Sequence, residues 1–475
     1  MARGTWSETN RPKTPGFYNR MVQLARQTAK NISGVLAMPV KSDWGPARTV
    51  IEVKDSQELK HKFGVNMNFT AFKLGNLALL GNPEKLLLYR LADDSAAKGT
   101  ASLSNSEVSP AVVMNFETLY PSARNFKLSV SSNILNSSNK DISLYEGTNL
   151  LGKVENISGT LQEVLDIINK STIGDYVVGK LVDGATGTLA DVLSVEFTGG
   201  NNGTTSITND DYITAMDAFR SYEFDGFTLD GVSDPALIET VKGWGEDCKK
   251  EGLDFLIFSS TNEATLNAAN QKSKGYNSTL MHNGFAKTLS YDGVDYTMSE
   301  AMVHIAALAL SKNLKGSICN EKTIFTDVQP RLNRSEVNSA LEAGTIVLTM
   351  DKKTGKAVIV DDVNTYKDYE KKEDEVLGNI RANRFINTVN KVCAVKAEDD
   401  FIGQVTGDET GHTIILSGFK NFFDEWKHLG IISGYTAETD EENQSKAQTD
   451  EYFWKWSADY VNVTKRIYST GNLVG

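Results

Sequence analysis

Cysteine and histidine are scarce in this sequence, with 3 Cys and 5 His among 475 residues. Cys248, Cys319 and Cys393 are far apart and odd in number, and no CxxC pair occurs. A disulfide framework and a structural zinc site are therefore not expected. Reduced, buried thiols in a cytoplasmic protein are. Long apolar runs are also missing. The longest, Ala301 to Leu310, is interrupted by His304 and falls far short of the roughly 18 residues that suggest a membrane span. Met1 to Asn10 holds no apolar core, so no signal peptide is expected. Positive charge is not in excess: 49 Lys+Arg stand against 61 Asp+Glu, a net charge of −12. That balance disfavours wholesale nucleic-acid binding, which needs clustered Lys and Arg to neutralise phosphates. What remains is ordinary globular composition, 40% hydrophobic and 23% charged, with length enough for about three domains. One stretch departs from the total. Arg3, Arg11, Lys13, Arg20, Arg26 and Lys30 against Glu8 make the start locally basic, which reads as a solvated or partner-binding arm.

Residues 1–20 lack hydrophobic periodicity and hold Pro12, Pro15 and Gly16, the texture of an extended arm. Residues 32–40, Thr49 to Val53 and Lys85 to Arg90 read as strands. Helices are expected from Ser56 to Gly64 and from Phe69 to Leu80. Residues 93–200 are rich in Ser, Thr, Asn and Gly. Phe126 to Val130 and Asp141 to Tyr145 alternate as half-buried strands do, and Leu161 to Ile168 forms a short helix. This is the pattern of an inserted, mostly β domain, with Gly199 to Gly203 as exit linker. From 208 to 310, helices (Asp210 to Tyr222, Asp234-Pro235 to Lys250, Ser299 to Leu310) alternate with strands (Phe224 to Leu229, Leu253 to Phe258). That rhythm predicts a largely parallel sheet covered on both faces. Beyond it come a hairpin (Thr345 to Met350, Lys356 to Val360), a long charged helix from about Asp374 to Val395 and a helix near Ser417 to Leu429. Strands at Tyr452 to Trp456 and Tyr460 to Val463 precede a short apolar tail.

Two motifs invite chemistry and each has a plainer reading. Gly147 to Val154 nearly matches the phosphate loop GxxxxGK[ST], but Val154 stands where the Mg²⁺-binding hydroxyl should be. A β-hairpin explains its glycines. Phe224 to Asp230 resembles the DGxDxDxE strand of one chitinase-like glycosidase family, yet Thr228 replaces the middle Asp and Val232 the acid. Asp225 and Asp230 are more simply solvent-facing strand ends and caps. The histidines at 61, 282, 304, 412 and 428 show no HExxH or HxxxH spacing. His304 fits a satisfied core residue, and Glu398-Asp-Asp400 a solvated turn. No GxSxG elbow occurs and no GxGxxG follows a strand, so nucleophile, base and oxyanion hole do not assemble.

Several ordered segments together resemble the contractile tail sheath proteins of bacteriophages and phage-tail-like particles, nearest to those of Gram-positive phages and defective prophages. Gly4-Thr-Trp6 and Pro15-Gly16-Phe17-Tyr18 are similar to the family's opening. Gly34 to Val40, Trp44-Gly-Pro46, Glu58-Leu59 and Phe63-Gly64 are similar to its Gly-rich strand, "WGP" turn and following helix. Asp210 to Met216 with Phe224-Asp225, Val363-Asn-Thr365, Asn379 to Val392, Phe401 to Val405, Leu429 to Gly434 and Lys465-Arg466-Ile467-Tyr468 continue the series. Phe17, where a small aliphatic residue is common, and the lack of Pro after Trp456 are departures.

The resemblance implies a structural subunit, not an enzyme, with no catalytic residues, cofactor or metal. It implies stacked six-subunit rings around a tail tube, contracting to drive that tube through a bacterial envelope. Partners would be further copies of the chain, the tube protein, the baseplate and the tail terminator. The location would be the virion tail, assembled in the host cytoplasm. The expected fold is α/β multidomain: an N-terminal linking arm (1–36), an α/β body with a mostly parallel sheet (37–92 and 201–345), an inserted β-sandwich-like outer domain (93–200), an α+β C-terminal assembly domain (346–463) and a C-terminal linking arm (464–475). Pro15, Gly16, Phe17, Tyr18, Lys465, Arg466, Ile467 and Tyr468 are the expected inter-subunit arm residues. The helix bearing Lys420, Asp424, Glu425 and Lys427 is the candidate tube-facing surface. The alternatives are a non-contractile phage structural protein and a glycoside hydrolase.

Overall fold

The computed structural model describes residues 2–5, 16–19 and 34–473. Its body is built on a nine-stranded sheet. In spatial order the strands are Glu321–Lys322, Ala357–Ile359, Thr345–Met350, Met281–Phe285, Leu256–Ser259, Gly226–Thr228, Val35–Val40, Lys85–Arg90 and Val50–Val53. The six from Thr345–Met350 to Lys85–Arg90 run parallel, and antiparallel strands finish both edges. Every residue of Val35–Val40 is buried, as a two-sided strand requires. Leu36, Met38, Leu86 and Leu88 face the helices Thr70–Leu79 and Met298–Ser311. Ala37, Leu87, Phe227 and Ile257 point the opposite way, against Asn209–Phe219 and Pro235–Lys250. From Ala301 to Leu310 the helix Met298–Ser311 is apolar on every side apart from His304 and is correspondingly buried. Thr297 and Glu300 close its first turn as a capping box.

Between Ala92 and about residue 201 the chain forms two further sheets. Four strands (Asn149–Ile157, Lys140–Glu146, Phe126–Ser132, Val192–Glu196) and three (Val177–Leu181, Val112–Thr118, Thr100–Ser104) enclose Phe116, Phe126, Leu128 and Leu144 with the helix Leu161–Lys170. The body reaches into this core through Trp44, whose ring lies 5.2 Å from Tyr120 and 5.5 Å from Phe126. Gly45 makes that turn possible. Its φ is +97°, and a Cβ there would meet the Lys62 carbonyl at 2.5 Å. Arg90, fully buried, donates to the carbonyls of Gly45, Pro121 (2.8 Å) and Asn202 (3.1 Å). One guanidinium thus ties the body to both connections of the insert. Burial pulls its pKa down to about 10, so it stays charged at neutral pH.

The last hundred residues fold around Phe385, Phe419, Phe423 and Trp426. Four expectations change here. The charged segment from 374 to 395 is not one helix: a 3-10 stretch Lys372–Gly378 precedes the α-helix Ile380–Asp400, and Asn379 between them is extended and bridges to Val363. The next helix starts at Glu409, not near 417, because the Asp408 carboxylate accepts the Gly411 N–H and caps it. The two strands expected at 452–456 and 460–463 are a single strand, Trp454–Tyr460, paired antiparallel with Ile432–Thr439. Glu398-Asp-Asp400, expected as a solvated turn, is exposed but forms the last turn of a helix.

Candidate functional site

The chemical candidates are absorbed by the fold. In chain order the six parallel strands lie 2-1-3-4-5-6 across the sheet. In such sheets, ligands bind where the order reverses, beyond the strands' carboxyl ends. Here that place, between Val35–Val40 and Gly226–Thr228, is filled by the chain's own side chains. Asp230 is buried and accepts hydrogen bonds from the Tyr212 hydroxyl (2.7 Å) and the Thr70 hydroxyl (2.6 Å). Burial raises its pKa above the usual carboxylate range and pushes that of Tyr212 upward as well. Asp225 accepts the Val35 N–H at 2.8 Å and lies 3.7 Å from Lys391. Neither acid is the solvent-facing cap expected from the sequence: one is sealed in the crevice, the other fastens a strand and the 380–400 helix.

Gly147 closes the hairpin between Lys140–Glu146 and Asn149–Ile157. Lys153 follows on the second strand, 2.5 Å from Glu155, with no helix N-terminus to cradle a phosphate. His304 is a core residue whose Nδ1 sits 3.1 Å from the Leu77 carbonyl; His282 repeats the arrangement at 3.0 Å from Ile257. Burial lowers both to about 4. Cys248 and Cys393 are buried and Cys319 half-buried, all as free thiols, and burial raises them to about 11, 12 and 11. Among the described residues no His, Cys, Asp and Glu group has the geometry to hold a metal, and no helix is long and apolar enough to cross a membrane.

The features that remain open are edges and ends. Ile432–Thr439 and Trp454–Tyr460 form a two-stranded sheet. One face packs on the Glu409–His428 helix, with Trp454 stacked 4.5 Å from Phe419 and Tyr435 5.1 Å from Phe423. Among the described residues neither outer edge carries a third strand. A lone hairpin is marginal in water, and its unpaired N–H and C=O groups are a template for another chain. At the other end, Ala2–Thr5 pairs in parallel with Gly16–Asn19, so Gly16, Phe17 and Tyr18 are in strand conformation. Pro15 lies outside the described residues.

The C-terminal segment divides at Lys465. Before it, Val461 donates its N–H to the Ile431 carbonyl and accepts from Arg381 at 2.7 Å. The Lys465 ammonium lies 2.6 Å from Asp361, 2.5 Å from Asp362 and 2.7 Å from the Asn379 Oδ1. Although burial works against its charge, the two carboxylates hold its pKa above the usual lysine value. Beyond it, residues 466–473 form no helix or strand. Arg466 is exposed, and Ile467 and Tyr468 are each 88% exposed. Lys465 is thus docked on its own chain, whereas Arg466, Ile467 and Tyr468 are free. The acids that receive Lys465 gave no signal in the sequence, because an Asp-Asp pair after an apolar strand reads as a solvated end.

On the Glu409–His428 helix, Lys420, Asp424 and Lys427 fall at helical spacing on one stripe; Glu425 is on a different one. Asp424 and Lys427 are exposed, Lys420 and Glu425 half-buried. Asp424 accepts the Tyr435 hydroxyl at 2.7 Å, so it also fastens the hairpin. Burial first, then this bond, pushes the Tyr435 phenol up to about 12.

Comparison with known proteins agrees with a structural role. Residues 205–365 match the family model described as the phage tail sheath protein central domain, and residues 372–473 match the phage tail sheath C-terminal domain. The two matches together take in more than half of the chain. The phage-like element PBSX protein XkdK of Bacillus subtilis is 18% identical over 492 aligned residues, covering 98% of this chain and 99% of that protein. The crystal structure of the sheath tail protein from Desulfitobacterium hafniense has a TM-score of 0.69 at 17% identity, over 94% of this chain and 100% of that one. The helical sheath of the anti-feeding prophage in its contracted state has a TM-score of 0.55 at 9% identity, covering 97% and 99%. At these identities the structural likenesses establish the fold.

Proposed function

This chain belongs to the phage tail sheath family, and from that premise we propose that it polymerises as stacked six-subunit rings around a tail tube and contracts to drive the tube through a bacterial envelope. The observation that carries this reading is the pairing of an edge-open hairpin at 432–460 with a chain end that leaves the body unpaired after Lys465. A strand from one copy can complete the sheet of the next. Main-chain hydrogen bonds then join subunits with little dependence on side-chain identity. At about 0.5–1.5 kcal/mol net per bond, a shared strand of ~4 bonds contributes a few kcal/mol. Repeated at every joint it makes a continuous mesh, and such head-to-tail contacts generate rings and helices rather than closed dimers. The bodies slide and rotate while the arms hold them.

In this reading the linking arms are the residues before Gly34 within the expected 14–36 and those after Lys465 within the expected 464–475, because Val35 and Leu36 are buried in the body's central strand and Lys465 is held by Asp361 and Asp362. The assembly domain is the part of 346–463 beyond the body strand Ala357–Ile359, and 93–200 is an outward-facing domain whose loops tolerate variation. The Lys420, Asp424, Glu425 and Lys427 surface faces the tube. Baseplate and terminator contact the ends of the stack, and assembly takes place in the host cytoplasm. Deletion of 466–475 is the test. The truncated protein should remain a folded subunit, by thermal unfolding and sedimentation, and form no sheaths in electron micrographs. Normal sheaths from it would refute the linking role. Particles that never shorten and widen would mark a non-contractile relative.

A further inference from the structure

Lys465 has no role in the strand exchange proposed above, yet it is among the most firmly held residues near the chain end. Its side chain is 15% exposed, and the carboxylates that receive it are 11% (Asp361) and 1% (Asp362) exposed. Two acids this buried need a cation, since an unpaired buried charge is strongly unfavourable. Apart from that ammonium, Asp362 has no hydrogen-bond partner for either oxygen. The acids follow the last strand of the body, within residues 205–365, whereas Lys465 and Asn379 lie within 372–473. The contact therefore fastens the outgoing chain across the boundary between the two matched segments. Among the described residues beyond it, 466–473, no hydrogen bond or ion pair holds the chain to the body, and Arg466 lines a cleft of about 720 Å³ with Lys367, Tyr369 and Glu375.

We propose that Lys465, seated between Asp361, Asp362 and Asn379, is the fixed pivot of the C-terminal arm and a positioning residue for assembly. The inference rests on the linking role of that arm. A pivot at 465 fixes where the free segment begins. Residues 466–473 then span at most ~29 Å at ~3.6 Å per residue. Release of the pivot would lengthen the tether back to Val461, the next anchored residue, by about 14 Å on the same scale. Neighbouring subunits would be held less closely and in less uniform register. The same arm would still have every residue needed to pair as a strand.

Two variants and two readouts test this. In D361N/D362N the lysine loses its counter-charges. In the triple variant D361N/D362N/K465M the buried charges are removed together, so no unpaired acid is left to destabilise the fold. Trypsin must draw the Lys465 side chain into its own pocket. Cleavage after Lys465 should therefore rise at least tenfold in D361N/D362N relative to the native subunit, with cleavage after Arg466 as internal reference. Sheath yield by sedimentation and electron microscopy should fall about tenfold in both variants, while the thermal midpoint of the unassembled triple variant stays within a few degrees of native. Unchanged cleavage after Lys465, or native-like sheaths from the triple variant, would overturn the pivot. If deletion of 466–475 blocks assembly but the triple variant assembles, the linking role stands and the pivot alone fails. If the deletion itself assembles normally, both fail.

Discussion

His282 and His304 show how a scarce residue type acquires a physical consequence. Each keeps Nδ1 beside a main-chain carbonyl, and each has an Nε2 with no partner. Burial holds both at about 4 in the folded chain, against an ordinary value near 6.5. The unfolded chain therefore takes up protons that the folded chain refuses. Their stabilising contribution is complete above about pH 6.5 and is lost as pH falls toward 4. At pH 5 each histidine should have lost about 2 kcal/mol. Asp230 and Asp362, whose pKa values are raised by burial, act in the opposite sense in acid. Substitution isolates the histidine share. His304→Gln should reduce the fall in urea midpoint between pH 7.5 and pH 5 relative to the native protein. An unchanged pH slope would show that His304 is protonated in the fold.

At the scale of elements, the hairpin at 432–460 depends on the helix beneath it. Phe423 is fully buried and touches Trp426, Tyr435 and Trp456 with ring separations of 5.1 to 5.3 Å. Phe423→Ala should cost about 3–5 kcal/mol through the cavity it leaves, and the loss should be local. Hydrogen exchange ought to accelerate across 432–460 while Val35–Val40 and Lys85–Arg90 keep their protection; uniform acceleration would mean the two regions unfold as one. The alternation of Trp454 and Trp456 was visible in the sequence, though not its continuation through Ala458 to Tyr460, as were the two-sided strands and the Asp234-Pro235 helix start. Other elements were hidden for definite reasons. The helix Glu409–His428 was expected only from near Ser417; Gly418 within it is small because a Cβ would meet the Phe401 ring at 2.4 Å. The break at Asn379 sits inside the segment expected as one helix and is fixed by its bridge to Val363, a contact outside that segment. The helices Leu266–Tyr276 and Arg334–Ala343 carry few large apolar residues, so periodicity missed them. For the second, the Asn333 and Glu336 capping box was the available signal. The open edges and the Lys465 contact belong to the same class: they arise from tertiary placement, and a single sequence does not encode them as local pattern.

For the whole molecule, the net charge of −12 is a statement about assembly. Like-charged subunits repel in solution, which keeps them apart before a nucleus forms. Attachment to another component then requires local patches that differ from the total. The stripe of Lys420, Asp424 and Lys427 is one such patch, beside Glu425, and Lys427 is its most accessible cation. If it meets acidic groups on a tube, the contact is electrostatic and screened, since the Debye length shrinks from about 10 Å at 0.1 M salt to about 3 Å at 1 M. Reversing Lys420 and Lys427 to Glu should release sheath from tube in co-sedimentation while self-assembly survives, and high salt should mimic the variant on native protein. Lys427 also lies in the last helical turn, where a cation is favourable by about 0.3–1 kcal/mol. A Lys427→Gln control separates that small helix effect from loss of the contact. Tube binding unaffected by the double reversal, with sheaths of normal length, would place the tube on another face of the subunit.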